Sequence, residues 1–419
     1  MSRNGLPRIV ICGAARTPIG VKCGTLSDFA PEDLAVLACE EAVQRSGVPR
    51  ERIAAAVGAN VYQYTAPGAQ DIYFPRNVAL RCRLRIETPA LMVQRICGSG
   101  LQTVVSACQQ LLLPDEVDDA KTALCFGAEV MSRTPQIIRA KRSSASFWEF
   151  AERGRVEDSL LAGLNHDLAH TTMMLTADEY GSRMGVSRQA CDEFAVLSHE
   201  RARAAHRRSH LNGGDILRGL FALDAHDLGG RPVHLARDEC VRVTSTDLLA
   251  KLPALTPNGL VSAGNASEIC DGAAALVLAE RETAVTGGWP SSFEIAAYGV
   301  CGVDPRVMGR GPVPSIQQAL ARAGIKQKDV GLWEINEAFA AQYLGVEKEL
   351  GLDRALTNVN GGAIAIGHPL AATGVRMIVD LMYEMDRRDV GYGCAAACIG
   401  GGQGMAVVIH NTREASGGR

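Results

Sequence analysis

Short apolar runs alternate along the chain with longer segments whose apolar residues recur every three or four positions. The run TPALMV (88–93) is soon followed by LQTVVSACQQLLL (101–113), which shows the second pattern. A short apolar run is typical of a buried strand, and the longer pattern is typical of a helix packed against a sheet. Because strands and helices alternate in this way, we expect an α/β fold with parallel sheets covered by helices on both faces.

The second half of the chain repeats the pattern of the first. The segment AVQRSGVPRERI (42–53) corresponds to ALARAGIKQKDV (319–330), with Ala, Arg and Gly recurring in place. Each is predicted to be a helix that ends at glycine and is followed by an aliphatic run. A glycine-rich turn from strand to helix comes later in each half, at RICGSG (95–100) and GGAIAIGHP (361–369). Two such halves, packed together, would bring the equivalent turns to a shared seam.

A different kind of sequence lies between the halves. Residues 132–255 are richer in charge and in helix formers, so we expect a mainly helical insertion that covers the strand ends of the first half. The aliphatic run 274–279 would then return the chain to the first sheet. The predicted domains are an N-terminal half (1–131 plus 256–285), the inserted lid domain (132–255) and a C-terminal half (286–419).

The composition fits a compact globular chain of more than one domain. Of the 419 residues, 47% are hydrophobic and 21% are charged, which leaves little sequence for disorder. The net charge of −3 does not favour nucleic acid or an anionic membrane as the main partner. Two uncharged stretches, 355–375 and 391–412, are rich in glycine and alanine rather than leucine, so we expect no membrane span. The basic stretch 201–210 is either a solvated helix face or a phosphate-contacting surface.

The cysteines and the chain ends bear on the compartment. Thirteen cysteines, an odd number without any Cys-x-x-Cys pair, predict reduced thiols, which are typical of a cytosol-like compartment. The first ten residues are too short for a transit peptide, and the C-terminal SGGR is not a peroxisomal signal. We therefore expect a cytoplasmic protein of a bacterium.

Metal and nucleotide motifs are weak in this sequence. The segment HDLAH (166–170) could place two imidazoles one helical turn apart, but no partner motif accompanies it. A zinc site usually takes four ligands, so we expect no metal here. Neither a dinucleotide fingerprint nor a Walker A pattern occurs.

Cys97 lies on the turn between the predicted strand and helix of the first half. Gly98, Ser99 and Gly100 follow it, and glycines let the backbone turn sharply and approach a ligand closely. A thiol at a helix N-terminus is exposed to the positive end of the helix dipole, so its pKa is expected to fall from ~8.5 toward neutrality. Cys97 is therefore either a nucleophile or, like most free cysteines, a small buried hydrophobic residue.

The second half supplies polar residues that a nucleophilic Cys97 would need. His368 lies in an apolar, glycine-rich turn, Cys398 precedes three consecutive glycines, and Asn336 follows an aliphatic strand. A satisfied core histidine is the alternative for His368. Together, two thiols, an imidazole and an amide on such turns indicate acyl transfer. One thiolate would attack a carbonyl, histidine would take its proton, and the amide and backbone N–H groups would stabilise the oxyanion.

Four segments together resemble the signature blocks of the thiolases, the acetyl-CoA acyltransferases. They occur in the order VQRICGSG (93–100), NEAFA (336–340), NVNGGAIAIGHP (358–369) and CIGGGQG (398–404). The likeness spans nearly the whole chain. The sequence around the first two blocks is most similar to 3-ketoacyl-CoA thiolases of the degradative, mitochondrial-like group, with acetyl-CoA acetyltransferases as close relatives.

The resemblance implies a fold and a set of catalytic roles. The family fold is α/β, with two similar βαβαβαββ halves in a five-layered core and a mainly helical loop domain inserted in the first half. By similarity, Cys97 is the acylated nucleophile, His368 the base that activates it, and Cys398 the acid/base that acts on the acetyl-CoA carbon. Asn336 would hold a water that forms one oxyanion hole with His368. The backbone N–H groups of Cys97 and Gly400 would form the other.

The resemblance also implies substrates and partners. Ser267 and Arg242 match positions that contact coenzyme A, and Gly361, Gly362 and Gly367 would keep the pantetheine channel narrow. The reaction would be ping-pong, either thiolytic cleavage of a 3-ketoacyl-CoA through an acyl-cysteine or the reverse Claisen condensation. CoA and acetyl-CoA would be substrates, no metal or flavin cofactor would be needed, and a homodimer or homotetramer is expected.

Several residues depart from the family pattern. Ala371 and Ala372 replace glycines after the His-Pro pair, where they either narrow the acyl pocket or act only as helix formers. Glu268 stands where glycine is usual and would place a carboxylate near the CoA path. Met174 replaces a small residue common in biosynthetic members, which favours the degradative group. None of these changes affects the catalytic side chains, so we expect intact chemistry and leave substrate preference open.

Three rival functions fit the residues less well. Ketoacyl synthases and hydroxymethylglutaryl-CoA synthases, related condensing enzymes, share the fold and the nucleophile but lack the second cysteine, which is Cys398 here. A non-catalytic lipid-binding or scaffold relative would be expected to lose one of the four polar side chains. A cysteine hydrolase would need a flanking signature of its own.

Overall fold

The computed structural model describes residues 7–112, 121–139, 155–211 and 217–413. The first half contains β1 (Ile9–Arg16), β2 (Gly20–Val21), α1 (Pro31–Ser46), β3 (Ala55–Ala59), α2 (Phe74–Arg81), β4 (Ala90–Met92), α3 (Ser99–Leu112) and β5 (Thr122–Val130). The middle of the chain contains β6 (Gln136–Arg139), β7 (Arg155–Asp158), α4 (Ser159–Gly163), β8 (Asn165–His166), β9 (Thr171–Thr172), α5 (Met173–Arg183), α6 (Arg188–Leu211), β10 (Leu223–His226), β11 (Pro232–Leu235) and α7 (Thr246–Leu249). The rest contains β12 (Cys270–Glu280), α8 (Arg281–Thr286), β13 (Phe293–Gly302), α9 (Pro312–Ala323), β14 (Leu332–Ile335), α10 (Ala340–Leu350), α11 (Ala363–Ile366), α12 (Leu370–Arg388), β15 (Tyr392–Ile399) and β16 (Gln403–Asn411).

Several predictions depend in part on residues outside this description. The predicted N-terminal half 1–131 includes 113–120, and the predicted inserted domain 132–255 includes 140–154 and 212–216. The chain ends used for the compartment include 1–6 and 414–419, and the side chain of His210 in the basic stretch is also outside it. Within the described ranges, no helix is both long and apolar enough to cross a membrane.

Ten strands of the described residues form one sheet, in the order β14-β15-β16-β13-β1-β12-β5-β3-β4, with β2 beside β12. The two halves meet where β1 and β13 pair antiparallel, through Val10 with Glu294 and Ile11 with Phe293. Outward from this junction the strand order is equivalent, because β12, β5 and β3 on one side match β16, β15 and β14 on the other. The topology of the sheet therefore contains the duplication predicted from the sequence.

The sheet is mixed, which corrects the expectation of parallel sheets. β3 runs parallel to β4 and β5, and β14 runs parallel to β15. The pairs nearer the junction are antiparallel. The turn Gly400–Gly402 between β15 and β16 is too short for the crossover connection that parallel neighbours need. β12, which includes the run 274–279, returns from the middle of the chain to a place between β1 and β5.

Two long helices, α3 and α12, lie together between the two halves of the sheet. α3 packs on β3 and β5, and α12 packs on β5, β12 and β15. α1 covers the other face of β1 and β12, and α9 covers the other face of β13 and β16. The order helix, sheet, helix, sheet, helix is the five-layered arrangement that the resemblance implied.

α3 and α12 approach each other so closely that small residues are needed at the contact. A Cβ on Gly100 would lie 2.6 Å from the carbonyl oxygen of Ala371, and one on Gly127 of β5 would lie 2.0 Å from it. A Cβ on Gly374 would lie 2.2 Å from the backbone nitrogen of Leu101. These contacts bring the N-terminal ends of the two central helices together, at the seam between the halves.

The middle of the chain combines the helices α5 and α6 with three small antiparallel sheets, β6–β7, β8–β9 and β10–β11. Buried side chains of α5 and α6 share one hydrophobic cluster with α9 and α10 of the second half. Phe194 of α6 stacks on Tyr343 of α10 with 4.1 Å between ring centroids. This burial anchors the middle segment on the second half of the molecule.

Candidate active site

Cys97 lies on the short 3-10 turn Ile96–Gly98, which leads directly into α3. Ile96 has φ +46°, a conformation that is unfavourable for a β-branched residue and marks a constrained turn. A Cβ on Gly98 would lie 2.4 Å from Cδ1 of Ile399, so the turn is pressed against the end of β15. This packing fixes the position of the thiol relative to both elements.

Arg95 connects the turn of Cys97 to the glycine-rich loop after β15. Its Nη1 donates to Oε1 of Gln403 at 2.8 Å, and its Nε donates to Oε1 of Gln102 at 2.9 Å. The backbone N–H of Arg95 donates to Oγ of Ser99 at 2.8 Å. The turn and the loop therefore keep a fixed relation to each other.

Backbone N–H groups act on the thiol of Cys97. The N–H groups of Gly400 and of Cys97 itself act to lower the pKa of this thiol. These are the two donors that the resemblance implied for one oxyanion hole. A Cβ on Gly400 would lie 3.3 Å from Sδ of Met173, which covers the loop from the first turn of α5.

The resting thiol is neutral, so the prediction of a lowered pKa was wrong. The residue Cys97 is partly exposed to solvent, but its sulfur atom is surrounded by protein atoms. Burial raises the pKa of Cys97 to about 11, because the thiolate loses hydration that the backbone N–H groups do not fully replace.

His368 is buried just before α12, and its ring is held from both sides. Nδ1 lies 2.7 Å from Oγ1 of Thr373, whose hydroxyl donates its proton to the carbonyl oxygen of Pro369 at 3.1 Å. Because that proton is used, Nδ1 of His368 must be the donor to Thr373. Nε2 then carries the lone pair, and it accepts from Nδ2 of Asn336 at 3.3 Å. Burial and the charge of Arg376 lower the pKa of His368 to about 3, so the resting imidazole is neutral.

Asn336 follows β14, and its backbone N–H donates to the carbonyl oxygen of Ala396 on β15 at 2.8 Å. Its side chain is fully buried, and Nδ2 is directed at His368. Oδ1 makes no hydrogen bond within the described part of the protein. A buried amide oxygen of this kind is suited to accept a hydrogen bond from a water or a ligand beside the imidazole.

Cys398 lies near the end of β15 and is fully buried. It clusters with Met308 and Ala338, and Met173 packs against the same cluster. Burial raises the pKa of Cys398 above its usual range, and the charge of a Cys97 thiolate raises it further. The two thiols therefore share one site, and both hold a proton at neutral pH.

Ser267 and Arg242, predicted at the coenzyme A path, flank the turn of His368. The N–H of Ser267 donates to the carbonyl oxygen of Ala338 at 3.0 Å. Arg242 forms an ion pair with Glu268, and the backbone oxygen of Glu268 accepts from the N–H of His368 at 3.2 Å. The carboxylate at position 268 is therefore neutralised by the arginine, and the backbone of Glu268 supports the turn of His368.

Gly361, Gly362 and Gly367 all face protein atoms. The nearest atoms to a Cβ at these positions would be the backbone oxygen of Ser198 at 2.7 Å, Cδ of Glu337 at 2.3 Å and Sγ of Cys270 at 2.7 Å, respectively. Internal packing already requires a small residue at each position. Their part in lining a pantetheine channel stays a prediction.

Ala371 and Ala372 are fully buried at the start of α12. The carbonyl group of Ala371 is the one that Gly100 and Gly127 approach, so this residue lies in the contact of α12 with α3 and β5. Of the two interpretations of these alanines, the contacts favour helix packing over narrowing of the acyl pocket.

The sequence reasoning missed residues that pack beside the thiol. Tyr62 belongs to the same hydrophobic cluster as Cys97, and its hydroxyl donates to the carbonyl oxygen of Leu160 at 3.2 Å. Met173 reaches the catalytic loop, whereas Met174 packs against the outer cluster of α5 and α10. No local pattern marks Tyr62, because it comes from a loop that is distant in the sequence.

Glu129 is a buried carboxyl group behind the loop of Tyr62. It accepts hydrogen bonds from the backbone N–H groups of Val61 at 2.5 Å and Tyr62 at 3.3 Å. Burial raises the pKa of Glu129 to about 8, despite these hydrogen bonds. A lone carboxyl residue inside the apolar run 122–130 was the available signal in the sequence.

His166, from the histidine segment, lies beside the glycine-rich loop. Its Nε2 would be 3.9 Å from a Cβ on Gly401, and its Nδ1 is buried without a partner in the described residues. Over the described ranges, no three His, Cys, Asp or Glu side chains are grouped so that they could hold a metal ion. The structure thus places this histidine next to the catalytic loop.

Comparisons with known proteins give matches to thiolases over nearly the full length of this chain. Residues 9–282 match the family "Thiolase, N-terminal domain" and residues 290–411 match "Thiolase, C-terminal domain". The mitochondrial 3-ketoacyl-CoA thiolase of Mus musculus is 38% identical over 405 residues, covering 96% of this chain and 98% of that protein. The beta-ketothiolase BktB of Cupriavidus necator is 39% identical over 405 residues, with the same coverage. The crystal structure of human mitochondrial 3-ketoacyl-CoA thiolase in complex with CoA has a TM-score of 0.88 and 38% identity, covering 97% of this chain and 98% of that one.

Proposed function

This chain belongs to the thiolase family, and we propose that Cys97, His368, Cys398 and Asn336 carry out the family's reaction in it. The protein is an acyltransferase that acts on acyl-CoA substrates. It cleaves a 3-ketoacyl-CoA with the thiol of CoA, or it runs the reverse condensation. The single observation that carries the assignment of residues is the packing at the seam. The turn of Cys97 packs against the end of β15, which carries Cys398, and Nε2 of His368 lies 3.3 Å from Nδ2 of Asn336.

In the first half-reaction, the sulfur of Cys97 attacks the 3-keto carbonyl while Nε2 of His368 takes the thiol proton. The N–H groups of Cys97 and Gly400 stabilise the oxyanion. Because burial sets the pKa of Cys97 at about 11 and that of His368 at about 3, a thiolate–imidazolium pair is not populated at rest. Proton transfer therefore accompanies formation of the S–C bond. The C2–C3 bond then breaks, and Cys398 gives its proton to C2, which releases acetyl-CoA.

In the second half-reaction, the thiol of a new CoA gives its proton to the Cys398 thiolate and attacks the acyl group on Cys97. The bond between the acyl carbon and Cys97 breaks, and the released sulfur recovers its proton from His368. All groups thus return to their starting protonation states. Oδ1 of Asn336, which is buried without a partner in the described residues, is suited to orient a water that stabilises the enolate together with His368.

Further features are also proposals. We propose that no metal or flavin takes part, since the thioester carbonyl itself acidifies the carbon that reacts. The family resemblance supports a homodimer or homotetramer, and the reduced cysteines predicted from the sequence support a cytoplasmic location.

The decisive experiment measures CoA-dependent thiolysis of acetoacetyl-CoA and of a longer 3-ketoacyl-CoA by wild type, Cys97→Ala and Cys108→Ala. Cys108 is a matched control because it is a buried cysteine of the same helix, in the inner core. We expect Cys97→Ala to lose activity by roughly 10³-fold or more, as removal of a nucleophile does, and Cys108→Ala to keep it. The ratio of the two wild-type activities reports the preferred chain length.

Mass spectrometry supplies a second readout of the same proposal. Incubation with a 3-ketoacyl-CoA, without free CoA, should add one acyl group at Cys97 of the wild type and none to Cys97→Ala. Thiolysis that survives in folded Cys97→Ala, or an acyl group found on another cysteine, would refute the assigned nucleophile.

A further inference from the structure

A cleft of about 770 Å³ lies between the C-terminal part of α6 and the segment 235–241. Arg203, His206 and Arg207 project into it from α6, at the three- and four-residue spacing that places side chains on one helix face. Arg237 faces them from the other wall. We call these four residues and the space between them the basic cleft.

Within the part of the chain that the structure describes, the three arginines of the basic cleft have no carboxylate partner. Over the described ranges, Arg203, Arg207 and Arg237 form neither a salt bridge nor a side-chain hydrogen bond, and Arg207 and Arg237 are exposed. Nearby arginines are engaged: Arg201 donates to backbone carbonyl groups of the loop 354–358, and Arg231 pairs with two aspartates. Three guanidinium groups that face one cavity without partners are therefore unusual for this part of the molecule.

Two carboxylates border the cleft, and both are already occupied. Asp238 is fully buried and binds both Nη atoms of Arg16, at 2.8 and 3.1 Å, and it accepts from Nε2 of His206 at 3.1 Å. Glu239 accepts from the hydroxyl of Thr25 and from the backbone of the loop 21–25. The charge of the cleft is therefore positive, with donors that face an open volume.

We propose that the basic cleft binds a phosphate-bearing anion. Guanidinium groups form paired, charge-assisted hydrogen bonds with phosphate oxygens, and several arginines on one cavity are the usual means of recognising a phosphate group. The volume is within the range of about 300–1,000 Å³ typical of small-molecule sites, so it accommodates a pyrophosphate or a phosphate ester. This interpretation also explains the basic stretch on α6, which catalysis leaves without a role.

The phosphate groups have two possible sources. One is the nucleotide end of coenzyme A, and this source rests on the proposed function. Val241 lines the cleft, and the backbone N–H of its neighbour Arg242, the predicted coenzyme A residue, donates to Nδ1 of His199 on α6 at 3.4 Å. The other source is a separate phosphate ester that binds beside the enzyme's substrate.

Calorimetric titration of the resting protein with inorganic pyrophosphate tests the site without any turnover. The variants are Arg203→Gln, Arg207→Gln, Arg237→Gln and the triple substitution. Arg208→Gln is the matched control, since Arg208 is an exposed arginine of the same helix that does not line the cleft. We expect each cleft substitution to weaken binding roughly tenfold, the triple substitution to abolish it, and the control to leave it unchanged.

Kinetics with two thiol substrates separates the sources. If the cleft holds the phosphates of CoA, the KM for CoA rises in the triple variant, while the KM for pantetheine, which lacks the nucleotide, does not. If it holds a separate phosphate ester, pyrophosphate binding is lost but the KM for CoA is unchanged. Two results would overturn the proposal, each combined with an equal KM for CoA in wild type and the triple variant. In the first, pyrophosphate binds both proteins with the same affinity. In the second, pyrophosphate binds neither protein. If wild type shows no thiolysis, the proposed function is refuted, but the calorimetric titration still tests whether the basic cleft binds phosphate.

Discussion

The turn that carries Cys97 and the turn that carries His368 occupy equivalent places in the two halves of the molecule. Each leads into one of the paired central helices, α3 or α12. Each also has a residue with positive φ directly before the functional one, Ile96 at +46° and Gly367 at +110°. The two halves therefore share a turn in which a residue with positive φ directly precedes Cys97 or His368.

The two turns hold their functional side chains by different means. The backbone N–H groups of Cys97 and Gly400 act on the thiol of Cys97 and lower its pKa. The ring of His368 is held by the side chains of Asn336 and Thr373. A nucleophile needs donors where negative charge develops, and fixed backbone groups supply them. A histidine that acts as a base needs one defined tautomer. An acceptor at Nδ1 and a donor at Nε2 fix that tautomer. The same scaffold therefore holds the two groups between which we propose a proton transfer.

After loss of the nucleophile itself, the largest effect should follow from removing the imidazole. We expect His368→Ala to lower kcat for thiolysis by roughly 10²–10⁴-fold, the usual contribution of a general base. His234→Ala is the control, because His234 is exposed and pairs with Asp224 on the small sheet β10–β11. A loss below roughly tenfold in steady-state kinetics would mean that the second turn does not supply the base.

The ionisation state of the Cys97 thiol can be measured from the pH dependence of its alkylation. With a pKa of about 11, Cys97 is protonated at neutral pH, and its thiolate fraction grows as pH rises. The rate of its alkylation by iodoacetamide should therefore increase about tenfold per pH unit from neutral pH to roughly pH 10. Mass spectrometry of the peptide that contains residue 97 measures this rate, in a Cys23→Ser background that removes an exposed thiol. A rate that is already constant near pH 7 would indicate a thiolate–imidazolium pair and would contradict two neutral groups.

The comparison also separates what the sequence can predict from what it cannot. Glycine-rich turns and repeated helix ends are local patterns, so they correctly predicted two similar halves and turns that meet at a seam. The pKa of Cys97 was predicted in the wrong direction because it depends on burial, and residues that cluster with Cys97, such as Leu160 and Leu370, are distant from it in the sequence. Strand direction was wrong near the junction for a similar reason, since β12 enters the sheet after a long excursion of the chain.

The residues that hold the site were also beyond local reasoning. Thr373 matters only because α12 turns its hydroxyl back toward His368, and Tyr62 only because a distant loop packs beside the thiol. Neither has a distinctive neighbour in the sequence. Contacts of this kind depend on how the two halves and the middle segment pack together.

Substitutions at the positive-φ residues of the two turns should change the stability of the protein by different amounts. Gly367→Ala combines a φ of +110° with a Cβ only 2.7 Å from Sγ of Cys270, so we expect a loss of stability of about 1–3 kcal/mol. Ile96→Gly relieves an unfavourable φ but adds chain entropy to the unfolded state, so its free energy of unfolding should stay within about 1 kcal/mol of wild type. Urea denaturation measures both changes. Equal destabilisation by the two substitutions would argue against different strain in the two turns.

The smallest expected effect isolates the side-chain support of His368. Thr373→Val removes the acceptor of the Nδ1 proton and leaves a buried N–H without a partner, whereas Thr373→Ser keeps the hydroxyl. We expect the valine variant to lose roughly tenfold in kcat with little change in KM, because the imidazole no longer has one fixed tautomer. The serine variant should recover most of that loss. If both variants lose kcat equally, Thr373 acts through packing at the start of α12, and the tautomer of His368 must be set by Asn336.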